Sequence, residues 1–181
     1  MNLFILDTDP FKAAQYYQDL HLNKIIVEGT QVLAAAYPLT VLQQADCPRT
    51  QRGTPRKHSH YNHPVTKWVR TNINNFVWTL NHVEALYQER LYRFNKQHFS
   101  RAFIDWCWSN PPELPHESRT EHPQCFVNTY PELVVINDPV KGYQNYYNVA
   151  KRSFQFGKKT VNATWTKRDT PYFFTSNDIS T

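Results

Sequence analysis

From Asp9 onward the apolar positions fall at helical spacing. Leu22, Ile25, Ile26, Gly29, Val32, Leu33 and Ala36 recur so as to share one side of a 3.6-residue helix, with Tyr17, His21, Lys24, Glu28 and Gln31 on the adjoining stripe. Asp9 followed by Pro10 is a cap-plus-proline start, and Pro38 blocks continuation, so the pattern predicts one helix from residue 10 to about Tyr37. A clearer pattern opens at Pro64. Val69, Ile73, Phe76, Leu80, Val83, Tyr87, Leu91 and Phe94 follow at steps of three and four, predicting a helix to about His98. Its length is roughly 50 Å at about 1.5 Å per residue. A short helix around residues 102 to 108 comes next. Asp138-Pro139 then repeats the start signal, and Val140, Tyr143, Tyr147, Ala150 and Phe154 carry a further helix to just before Gly157.

Between these helices the chain is irregular. Leu3 to Leu6 is a short apolar run, either a strand or an extended arm on the core. Residues 38–63 hold Pro38, Pro48, Gly53 and Pro55 among basic side chains and read as a long surface loop able to order on an anion. Residues 109–137 are a proline-rich segment, and the C-terminal tail is aromatic, basic and irregular. With no repeat and no break between cores, the expectation is a mainly α single domain, 1–181, compact around one long central helix.

Composition narrows the class. A chain of 181 residues with 15% aromatics buries a core without staples, and its apolar runs fall far short of the roughly 20 residues that span a bilayer. No membrane partner is expected, and the N-terminus lacks a signal pattern. Cys47, Cys107 and Cys125 are odd in number and form no C-x-x-C, which fits reduced thiols and a cytoplasmic setting.

The net charge of +5 is unevenly spread. No acid occurs between Asp46 and Glu84, where Arg49, Arg52, Arg56, Lys57, Lys67 and Arg70 fall. None occurs between Asp138 and Asp169, where Lys141, Lys151, Arg152, Lys158, Lys159, Lys167 and Arg168 interleave with aromatics including Trp165. Such windows suit a polyanion, with cations on phosphates and rings stacking on bases; a solvated basic surface over ordinary core aromatics is the plainer alternative.

Three groups carry candidate chemistry. His21, Lys24 and Glu28 share one helix face, where a carboxylate beside an imidazole and an amine can move protons or stabilise a cation; the plainer reading is a Lys24–Glu28 surface ion pair beside an edge histidine. "KHSHYNHP" places His58, His60 and His63 close together, but the spacing matches no zinc pattern, so a phosphate-contacting loop is expected and no metal. No cysteine stands in a nucleophile motif. No glycine-rich phosphate loop follows the Leu3–Leu6 run, and no cofactor is expected.

"DLHLNKIIVEG" is similar to the first helix of the phage pyrimidine-dimer DNA glycosylase with abasic-site lyase activity, phage endonuclease V, and its bacterial relatives. Asp19, His21 and Glu28 match that family's order of Asp, His and Glu. "YNHPVTKWVRTNINNFVWTLNHVEALYQERLYRF" resembles its long second helix with the preceding His-Pro. "ATWTKRD" resembles its DNA-contacting tail, and "MNLFILDTDP" looks like the start of a broader phage group carrying the glycosylase name. The resemblance covers about half the chain. It implies Glu28 as the catalytic carboxylate with His21 beside it and double-stranded DNA as partner; the acid-free windows, the histidine loop and the tail then supply Arg49, Arg52, Arg56, Lys57, His60, His63, Lys67, Arg70, Lys151, Arg152, Trp165, Lys167 and Arg168 as the candidates for nucleic-acid contact. A monomer is expected, in a host-cell cytoplasm if the chain is phage-encoded.

Two positions depart from the family. Its nucleophile is the α-amine of a threonine exposed by methionine removal, whereas residue 2 here is Asn, and Val27 and Gln31 stand where it carries phosphate-gripping arginines. The amine can therefore be that of Met1, of Asn2 after processing, or of Lys24. The readings left open are a glycosylase/lyase acting through a Schiff base on damaged or modified pyrimidines, an enzyme of the same scaffold processing a modified base or nucleotide, and a non-catalytic DNA-binding protein.

Overall fold

The computed structural model describes residues 2–156 and 158–175. The chain is mainly helical: α1 Pro10–Gln15, α2 Asp19–Ala34, α3 Leu39–Leu42, α4 Pro64–Val69, α5 Ile73–Phe94, α6 Arg101–Ser109 and α7 Pro139–Ala150. A short 3-10 turn, Pro131–Leu133, precedes α7, and a hairpin of β1 Ser153–Phe156 and β2 Lys159–Asn162 follows it. Among the described residues no helix is long and apolar enough to cross a membrane.

Residues 3–6 form an extended arm, buried along its length and, among the described residues, paired with no strand. Side chains take over the bonds a sheet would supply. The Tyr17 hydroxyl accepts from Phe4 N and donates to Phe4 O, both at 2.8 Å, and Gln144 Nε2 donates to Leu6 O at 3.0 Å.

The helix expected from residue 10 to Tyr37 is two helices. Asp9 caps α1 as the pattern predicts, accepting from Phe11 N at 2.8 Å, but the chain leaves the helix at Tyr16 and restarts after Gln18, which caps α2. The break frees carbonyls that a helix would have bonded internally. Arg93 of α5 donates to Gln15 O and Tyr17 O at 2.8 Å each, and the Trp165 indole donates to Tyr16 O at 2.9 Å. These partners lie about 75 and 150 residues away, so local pattern alone does not show the break.

The central helix is divided as well. Asn72 ends the α4 segment and caps α5, accepting from Asn75 N at 2.9 Å, while Asn75 Nδ2 takes Trp68 O at 2.8 Å. α5 stops at Asn95, whose φ of 52° is the left-handed close of a helix. It spans 22 residues, or about 33 Å, and packs against α1 and α2. Gly29 marks the crossing with α2, because a Cβ there would lie 2.4 Å from Val83 Cγ2. The last helix is also shorter than expected: Phe154 lies in β1 opposite Val161, and Gly157 falls outside the described residues.

The 38–63 segment is pinned to the body by α3 and by buried Leu42, Cys47 and Arg56. All three cysteines are free thiols, Cys47 and Cys107 fully within the core.

Candidate active site

The stripe on α2 separates by depth. Lys24 has 62% of its side chain exposed and Glu28 16%, while His21 is 1% exposed beneath the arm. The Tyr147 hydroxyl lies 2.7 Å from His21 Nδ1 and accepts from Gln18 N at 2.9 Å. With no other acceptor in reach among the described residues, it gives its proton to Nδ1 and leaves Nε2 as the N–H. The ring packs against Phe4 and edge-on to Phe154, with centroids at 5.1 and 4.9 Å. Burial, then the Lys151 and Lys24 charges, push its pKa down to about 3. At neutral pH His21 is therefore uncharged.

Glu28 meets the start of the chain. Its Oε2 accepts from the backbone nitrogen of Asn2 at 2.7 Å, and its Oε1 lies 3.6 Å from Lys24 Nζ. The Asn2 side chain is held in turn: Tyr143 shares its proton between Asn2 Oδ1 at 2.9 Å and Pro123 O at 3.0 Å. Two of the candidate residues, Asn2 and Lys24, thus converge on the carboxylate of a third, Glu28. The Met1 amine lies outside the described residues.

The nucleic-acid candidates divide. Arg49, Arg52, Lys57, His60 and Lys67 are exposed. Arg70 lies over the Tyr61 ring at 3.6 Å and donates to Tyr61 O, and His63 Nδ1 caps α4 by accepting from Val65 N. Burial lowers the His63 pKa, and the Glu28 charge opposes that shift. Among the described residues no three His, Cys, Asp or Glu side chains gather as a metal site.

Of the other candidates, Arg56 and Trp165 are buried, against the surface placement expected of them, and Lys151, Arg152, Lys167 and Arg168 are engaged by groups of the protein itself. Arg56 is 6% exposed, its guanidinium over the Phe103 ring at 3.7 Å with Nε donating to Pro48 O at 3.0 Å. Trp165 is buried on the α1–α2 break. Arg168 grips Glu89 through two bonds of 2.8 and 2.9 Å, and Lys167 donates to Tyr92 O at 2.9 Å. Lys151 lies 5.0 Å over Tyr146, and Arg152 holds Asn148 and Thr175.

Sequence reading missed the residues that organise this end of the molecule. Arg93, wholly buried, binds Asp19 at 3.0 Å and Glu89 at 2.7 Å, while Asp19 accepts from Thr166 N and from the hydroxyls of Thr164 and Thr166. A readable signal existed: Asn75, Thr79, His82, Glu89 and Arg93 form a second, polar stripe on α5, and all are buried.

Beyond Gln31, one turn along α2 from Glu28, two cavities of about 320 and 410 Å³ adjoin between α2 and the loop, sharing Gln31, Thr50, Thr54 and Arg56. No family model matches this chain, and no curated protein or solved structure does.

Proposed function

We propose that the chain is a DNA base-excision enzyme, a glycosylase and abasic-site lyase that works through a Schiff base on damaged or modified pyrimidines. The observation that carries this reading is the 2.7 Å bond between Glu28 and the nitrogen of residue 2. After removal of Met1 that nitrogen would be an α-amine, partly neutral at physiological pH because its pKa is about 8. The amine attacks C1′ as the C1′–base bond breaks with its electrons leaving on the base, the nitrogen loses a proton to give the aminal, and the C1′–O4′ bond then opens, its electron pair and a proton going to O4′, to give the iminium. Glu28 stabilises that cation and takes the C2′ proton whose loss expels the 3′ phosphate. Lys24, 3.6 Å from the same carboxylate, is the alternative amine. Exposed Arg49, Arg52, Lys57 and Lys67 supply phosphate contacts along the duplex.

The test is borohydride trapping on an abasic-site duplex, with the adduct located by peptide mass spectrometry. The expected adduct is at the N-terminus or Lys24, and Glu28→Gln should bind DNA yet trap at least about a hundredfold more slowly. Tight, salt-sensitive binding without any adduct would replace this reading with a non-catalytic DNA-binding protein. Turnover of a free nucleotide with no cleavage of duplex would replace it with a nucleotide-processing enzyme.

A further inference from the structure

We infer that Arg56 is the centre of a second binding site, for a phosphate ester, where the two cavities between α2 and the 38–63 segment meet. A buried guanidinium is normally met by a carboxylate, because an unmatched charge away from water is costly. Arg56 has none. Among the described residues it forms no ion pair, and its only hydrogen bond is from Nε to Pro48 O. The loop's one acid, Asp46, is exposed and accepts from the Trp106 indole. The nearby Cys47 and Cys107 thiols supply no negative charge at neutral pH, since burial raises both, Cys107 to about 12.

Two guanidinium nitrogens are left without a partner among the described residues. The guanidinium carbon lies 3.7 Å from the Phe103 ring centre, and among the described residues Nη1 and Nη2 find no acceptor, though neither is sealed from the cavities that the side chain lines. Around that fork stand other donors. The Thr50 and Thr54 hydroxyls are 2.7 Å apart, so one bonds the other and one proton remains for a ligand. Gln31 reaches in from α2, and exposed Arg52 and Lys57 stand at the rims. A rigid fork, a hydroxyl and two flanking cations match a ligand of several oxygens and more than one charge, which is a phosphate. The adjoining space is available to the group esterified to it. The site stands without the Glu28 chemistry, and phosphate binding should be unchanged in Glu28→Gln.

The experiment follows the guanidinium resonances of ¹⁵N-arginine-labelled wild-type protein during titration with inorganic phosphate. A saturable shift of the Arg56 signal is expected, with affinity falling several-fold in the loop variant Thr54→Val and, read from the Arg52 signal, about tenfold or more in Arg56→Met. The wild-type titration and Thr54→Val decide the matter even if Arg56→Met fails to fold. An unmoved Arg56 signal, or a linear drift reproduced by chloride, overturns the proposal. Thymidine monophosphate saturating more tightly than phosphate makes the source a free nucleotide. Duplex DNA displacing phosphate while the mononucleotide binds no better than phosphate makes it a strand; either result supports the site.

Discussion

The two acid-free windows look alike in the sequence, yet the fold uses them in opposite ways. In residues 47–83 the charged heads of Arg49, Arg52, Lys57 and Lys67 point to solvent, and Arg56, though buried, is left without a countercharge. In residues 139–168 Lys141, Lys158 and Lys159 are exposed, but the other four cations and the tryptophan are engaged: Arg168 on Glu89, Lys167 on Tyr92 O, Arg152 on Asn148, Lys151 over Tyr146 and the Trp165 indole on Tyr16 O. A basic run beside an acidic partner from elsewhere in the chain becomes a strap; one without such a partner stays available to a ligand. Charge composition alone does not distinguish the two, because Glu89, which holds Arg168, and Asp19, which holds Thr164 and Thr166, lie far away in sequence.

The strap converges on Arg93, so its loss should have the largest effect. Arg93→Met leaves Glu89 and Asp19 facing each other with a buried cation gone and reopens the carbonyls of Gln15 and Tyr17. We expect a loss of about 3–5 kcal/mol in chemical denaturation. A loss below about 1 kcal/mol would mean that the α1–α2 break is held by packing and not by this cation.

Next is Arg168→Gln, expected to cost about 1–2 kcal/mol at pH 7. Burial pushes the Glu89 carboxyl up, but hydrogen bonds from Arg168 and Arg93 outweigh it and hold the group below its ordinary 4.5. A depressed carboxylate contributes stability above that ordinary value and loses it as pH falls through the folded one. The gap between variant and wild type should therefore narrow at pH values below 4.5. A gap of the same size at neutral and acidic pH would assign the cost to lost packing of the Arg168 stem.

For the open window the expected effects are on affinity and not on stability. Arg52→Gln and Lys57→Gln should each weaken duplex binding about three- to fivefold and flatten its salt dependence by about one counterion, with the denaturation midpoint unchanged. Arg168→Gln should do the reverse. If Arg168→Gln flattens the salt slope while the loop variants do not, the roles assigned to the two windows are exchanged.

Much of the helical layout was legible because its signals are local. Asp9-Pro10, Asp138-Pro139 and the apolar stripes of α2 and α5 mark their elements without outside help, and Asn72 before Ile73 was a cap readable in the same way. The break at 16–18 was not legible, because no glycine or proline interrupts "QYYQ" and its carbonyls are met by Arg93 and Trp165. In the site, the register of Lys24 and Glu28 was visible, but their depths were not. His21 sits below the arm because Tyr17 and Gln144 satisfy that arm's backbone, which no spacing rule on α2 could show.

The smallest effect on stability should come from the residue on which the nucleophile question turns. Lys24 is 62% exposed and its 3.6 Å pair with Glu28 is an ordinary i, i+4 contact. Lys24→Met should therefore change stability by only about 0.2–0.5 kcal/mol. Borohydride trapping gives the same substitution a second, independent readout. An adduct retained at the N-terminus assigns the amine to the arm, where Glu28 already accepts from residue 2, and leaves Lys24 a surface cation. An adduct abolished while the denaturation midpoint stays put assigns the amine to Lys24, since so small a structural change cannot by itself remove the chemistry. A stability loss well beyond 0.5 kcal/mol would break the premise that this pair is merely solvated, and with it the ranking of effects from the buried strap to the open face.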